Sequence, residues 1–154
     1  MKSLVTLLAF CCSTALWAAE PVAPTGRIPL TGPNCNFLVK LTSYINAGTN
    51  KPGDVVTGVV IVPAILRGGR VEGTIERADH GILRFSFQRL KFKEYSYDIG
   101  SAVTGVVSSK GMAGQDDLGQ RVRMDGGGIV AYGTTTAIDE GAEIRFVAWE
   151  KENP

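Results

Sequence analysis

The chain has 154 residues, with 16 Lys and Arg against 15 Asp and Glu, three cysteines and a single histidine. That length fits one domain, large enough to bury a core without metal or disulfide staples. A net charge of +1 excludes the strong positive field needed to recruit nucleic acid or to hold a protein on an anionic bilayer.

Residues 1–19 read as a cleavable secretory signal. Lys2 is the only charge among them and precedes the apolar run Leu4 to Cys12. The run is too short for a membrane span, which needs about 20 apolar residues. Small residues follow at Ala15, Ala18 and Ala19, so cleavage falls after Ala18 or Ala19 and leaves no stable membrane anchor. A lipoprotein signal needs a small residue before its cysteine, and Phe10 precedes Cys11 while Cys11 precedes Cys12. The expected location is therefore periplasmic or secreted. Cleavage leaves Cys35 alone, so no internal disulfide is available, and the simplest role for Cys35 is a small half-buried residue.

Residues 20–35 carry Pro21, Pro24, Pro29 and Pro33 without periodicity and read as an extended leader to a domain over 36–150. A first strand is expected over 36–46, with Phe37, Val39, Leu41 and Ser43 on one face. Lys51-Pro52-Gly53-Asp54 is a turn. Residues 54–63 are almost continuously apolar, which predicts a strand covered on both faces and closed by Pro63. Arg67-Gly68-Gly69-Arg70 turns the chain into an alternating strand over 71–77, and Asp79-His80-Gly81 turns it again into a strand over 82–92. There the apolar phase shifts from Leu83, Phe85 and Phe87 to Leu90 and Phe92, so a β-bulge is expected near Gln88-Arg89. Residues 95–107 keep one period-two register, bent or split near Gly100. Residues 108–128 hold six glycines and predict a long loop of functional or mobile character. Strands over 129–135 and 142–149 complete an all-β fold: a small barrel or closed sandwich of about seven strands with one long Gly-rich loop.

Catalytic readings do not assemble. His80 sits in a turn with no recognisable nucleophile to activate. Asp116, Asp117 and Asp125 offer carboxylates for a hard cation, but Arg121 and Arg123 interrupt them and no calcium-loop spacing is present. Gly126-Gly127-Gly128 lacks the lysine and helix of a phosphate loop. No cofactor, metal or catalytic residue is expected, and the chain reads as a non-enzyme. Charge is uneven along it: seven bases and three acids lie between Arg67 and Lys93, and ten acids and five bases from Glu94 onward. The candidate partner surface is accordingly basic Arg84, Arg89, Lys91 and Lys93 together with Gln115, Asp116, Asp117 and Arg121 of the loop. An exposed sheet edge would add strand pairing.

One family carries the same order of segments. Pro52-Gly53-Asp54 is followed by a two-faced apolar strand, then by Gly68-Gly69-Arg70-Val71-Glu72-Gly73 and Leu83-Arg84-Phe85-Ser86-Phe87-Gln88-Arg89-Leu90. Tyr95-Ser96-Tyr97-Asp98, a Gly-rich loop and Asp139-Glu140-Gly141-Ala142 complete it. Over 37–149 the chain resembles the C-terminal β-barrel domain of the conjugal-transfer TrbI family, the envelope-spanning scaffold of type IV secretion systems. Those scaffolds carry an inner-membrane helix, a long proline-rich spacer and a helical pore insertion, and the segments here differ at each. The resemblance implies an envelope or secretion-associated accessory barrel that acts through a protein partner; the balanced charge argues against nucleic acid, and its uneven distribution is compatible with a homo-oligomer. The alternative is a small-molecule-binding barrel of the periplasm, with Tyr95, Tyr97, Phe85 and Trp149 lining a cavity. A third reading, a hydrolase, would bring Asp98 against Asp116 or Asp117.

Overall fold

Alternation decides which side chains enter the core. Phe37, Val39 and Leu41 point inward from the first strand, Val56 and Val60 from the next long one, and Val71 and Ile75 from its neighbour, all buried. The computed structural model describes residues 26–79, 82–107, 122–125, 128–131 and 137–151. The signal segment 1–19, leader residues 20–25, His80 and loop residues Gln115, Asp116, Asp117 and Arg121 lie outside the described residues.

The strands are β1 (Asn36–Leu41), β2 (Ile45–Asn46), β3 (Val55–Val62), β4 (Arg70–Asp79), β5 (Ile82–Phe92), β6 (Tyr95–Val107), β7 (Val122–Asp125), β8 (Gly128–Ala131), β9 (Ala137–Ile138) and β10 (Glu143–Glu150). β1, β3, β4, β5, β6 and β10 pair antiparallel in that order, and β10 returns to β1, closing a six-stranded barrel. The fold is thus all-β and a small barrel, as the alternation and glycine content require. β2 and β9 form a separate two-stranded sheet.

The interior is filled by aromatic rings. Phe37 stacks on Phe146 at 4.9 Å, Phe87 lies 4.7 Å from Phe146, and Phe85 meets Phe87 edge-on at 5.8 Å. Both barrel ends are closed with apolar side chains. Where β1 begins and β10 finishes, Ile28 and Leu30 enter the same core as Leu66 from a short turn, Ala64–Leu66. At the opposite end Ile45, Ala47, Ile138 and Ala142 of the β2–β9 region do so. Segment 26–35 is therefore packed on the barrel and not merely strung in front of it. The amide of Ile28 donates to the buried Tyr97 hydroxyl at 2.9 Å. Tyr97→Phe leaves that amide unsatisfied, and equilibrium unfolding should show a loss of about 1–3 kcal/mol.

Four local expectations meet a more detailed outcome. The strand over 36–46 is two strands: Thr42 N still donates to the Thr57 carbonyl at 2.9 Å, but the Thr57 amide turns to Ser43 Oγ and the two threonine hydroxyls bond at 2.8 Å, so side chains take over from the ladder before β2 starts. The expected bulge is present. Glu72 pairs with Arg89 and Gly73 with Phe87, leaving Gln88 as the extra residue. Strand β6 does not keep one register: Arg145 pairs with Gly105 but Phe146 with Val103, so Thr104 is an extra residue and Val106 becomes the buried one. The predicted loop over 108–128 gives up its end to a hairpin, because β7 falls inside it and pairs with β8, which in turn pairs with Ile82, Leu83 and Arg84 of β5.

That hairpin splits the barrel seam. β5 is joined to β6 only over Arg89–Phe92, and beyond that its same edge is taken by β8, since β4 holds the other. At the split the Phe87 amide finds Ser101 Oγ at 2.7 Å, a side chain standing in for the departed strand.

The β1–β3 connection is held by Asp54. Asn50 Nδ2 and Lys51 N both donate to its Oδ2 at 2.9 Å. The Asn50 bond first, and the Lys51 amide next, hold the carboxyl below its ordinary 3.8. A depressed folded value means the contribution is complete above 3.8 and is lost as pH falls through the lower folded value. The gap in denaturation midpoint between wild type and Asp54→Asn should be constant above pH 3.8 and narrow below it.

Candidate functional site

The four basic residues singled out on the strand over 82–92 and its turn do not form one patch. At ~3.3 Å per residue, Arg84 and Lys93 lie roughly 30 Å apart along β5. Arg84 stands opposite Arg77 of β4 and Gly128 of β8, partly buried, with its Nε lacking a hydrogen-bond partner. Arg89 and Lys91 are neutralised where they stand: Glu72 lies 3.7 Å from Arg89 and 3.4 Å from Lys91, and Asp98 lies 4.0 Å from Arg89. Lys93 occupies the β5–β6 turn with φ of 53° and sets its ammonium 5.4 Å from the Phe92 ring. The basic count on this strand is real, but its neighbours on β4 and β6 absorb two of the four charges. All of these groups are exposed enough that each pair contributes only ~0–1 kcal/mol.

The cavity expected between Tyr95, Tyr97, Phe85 and Trp149 does not assemble from these side chains. Tyr97 and Phe85 are core residues, whereas Trp149 is 50 % exposed on the outer wall. Its indole covers Gly100, directly opposite it on β6, where a Cβ would collide with the ring. Tyr97 is engaged on two sides, by the Ile28 amide and by the Arg27 guanidinium 4.5 Å from its ring centre. Asp98, the described member of the carboxylate pair weighed for hydrolysis, is bound up with Arg89. Among the described residues no group of three or more His, Cys, Asp or Glu converges for a metal.

The outer wall of β1, β3 and β4 is where the structure places what sequence reasoning missed. The apolar run over 54–63 predicts cover on both faces, but barrel closure buries only its inner set. Val55 is 63 % and Val62 41 % exposed, and Ile65 just beyond is 36 % exposed. Leu38, Val59 and Ile61 are half-buried beside them. Lys40, Val59 and Arg70 occupy consecutive positions across the three strands, and Arg145 lies opposite Leu38. Two hollows flank Val59. One of about 430 Å³ is lined by Lys40, Thr42 and Glu140, and one of about 340 Å³ by Thr42, Thr57, Arg70 and Glu72. The alternation of 36–41 and 55–62 already marks Leu38, Lys40, Val59 and Ile61 as outward-facing, which is the signal that could have found this wall. No helix among the described residues is long and apolar enough to cross a membrane. No family model, curated protein or solved structure matches the chain.

Proposed function

We propose that the chain is an exported, non-enzymatic β-barrel that works by contact with another protein, as an envelope accessory of the secretion and conjugation type that its sequence resembles. The observation that carries this reading is the β3 outer wall. A strand rich in Val and Ile presents its second apolar set outward, with Val55 and Val62 exposed and Val59 and Ile61 half-buried between them, and apolar surface left outside a small domain marks an interaction site. The filled interior supports a role for the outside of the barrel. Export rests on the signal read over 1–19.

Affinity capture of the tagged mature protein from envelope extract, with cross-linking to retain weak complexes, tests the reading. A specific protein partner is the expected result, and recovery of none from the native envelope sinks it.

A further inference from the structure

We infer that the β1–β3–β4 wall receives an extended acidic segment of a partner protein, its apolar side chains set on Val59 and Ile61 and its carboxylates held by Lys40 and Arg70. The inference rests on the protein-contact reading above and names the partner's chemistry.

Charge is the first reason. Arg89 and Lys91, one strand further round the barrel, are matched by Glu72 and Asp98. Lys40, Arg70 and Arg145 form no ion pair with any described carboxylate, and Arg67 spends its Nε on the Ile61 carbonyl at 3.1 Å. Four cations thus border an apolar strip on which Glu143, opposite Lys40, and Glu140, beside it, are the acids not already matched by Arg89 and Lys91. Spacing is the second reason. Lys40 and Arg70 are two strand steps apart, about 10 Å at the backbone, and their long side chains can close over Val59 from either side. Carboxylates two residues apart on an extended chain share a face about 7 Å apart, within reach of both side chains.

The same facts weigh against other occupants. A second copy docked through the identical face would set these cations against their own kind. A bilayer needs apolar groups that project beyond the cations, and here short branched side chains sit between long basic ones. Strand addition is not available on this wall, because β1 and β3 are paired along both edges. Recognition must run through side chains, where complementary potential sets specificity and on-rate.

The test is a titration of ¹⁵N-labelled mature protein with an acetylated octapeptide of alternating Glu and Val, against Lys–Val and Gln–Val counterparts. The Glu–Val peptide should shift amides of β1, β3 and β4, weaken as salt rises, and bind better than either counterpart. Lys40→Gln combined with Arg70→Gln should weaken it about tenfold with little change in the denaturation midpoint, since both residues are exposed and glutamine sets no carboxylate against Glu143. Glu140→Gln, which removes a carboxylate lining one hollow, should tighten it about twofold. Equal binding of the Lys–Val peptide overturns the proposal. So does a concentration-dependent dimer abolished by Val59→Glu, or wall shifts produced by phosphatidylglycerol vesicles in place of peptide. Envelope capture separates the two levels of argument. If wild type and the double variant retain the same partner, this wall is wrong and the protein-contact reading stands; if wild type retains nothing, that reading fails.

Discussion

Gly73→Ala should cost roughly 3 kcal/mol or more, the upper range for overpacking, and should leave little folded protein at physiological temperature. A Cβ at Gly73 would overlap the Ser86 carbonyl oxygen and sit 2.7 Å from Phe87 Cα. Both are backbone atoms of the neighbouring strand, so no rotamer change relieves the contact. The cause is the bulge: Gln88 is inserted next to the position where Gly73 faces Phe87, and a bulged strand is locally bent out of the regular ladder spacing. Relief requires β5 to move off β4, which breaks the ladder on both sides of the bulge. Circular dichroism with urea denaturation reads the loss directly. An alanine variant within 0.5 kcal/mol of wild type, the usual range for an innocuous surface change, would show that the close approach is not the reason for glycine here.

Phe146→Ala should lose about 3–5 kcal/mol, because the ring is both buried and shared. It is 1 % exposed and is the common partner of Phe37 and Phe87. Removing it opens a void at the centre of the barrel and deprives both neighbours of an aromatic face, worth ~0.5–1.5 kcal/mol for each pair beyond area. Against a total stability of about 5–15 kcal/mol for an ordinary domain, this is a large share. Phe146→Leu keeps most of the volume, so it should fall between wild type and alanine in denaturation midpoint. Equal losses for leucine and alanine would mean that the ring geometry, and not the filled space, carries the effect.

The barrel was legible because its determinants are local. Alternation placed Phe37, Val39, Leu83, Phe85 and Phe87 inside, and the broken phase at Gln88 announced the bulge. What escaped is set by partners distant in sequence. Ile28 and Leu30 show no periodicity, and the groups that tie that segment down, the Tyr97 hydroxyl and the Glu150 carboxylate, come 69 and 123 residues later in the chain than the Ile28 and Arg27 they bind. The phase change at Thr104 is hidden because valines stand at 103, 106 and 107 alike, so either register looks apolar. Charges on β5 could be counted from sequence, but which were already neutralised depended on Glu72 and Asp98 arriving beside them. The same gap explains the candidate surface. A continuous apolar run suggests double cover, and only closure of the sheet decides that one side of β3 is left outside.

Closure also separates two kinds of change that are coupled in an open sheet. Each wall strand has a neighbour on both sides for at least part of its length, so the backbone is committed and the outward side chains are not. Substitutions at outward positions such as Lys40 or Arg70 therefore change the charge of the wall with small effect on folding.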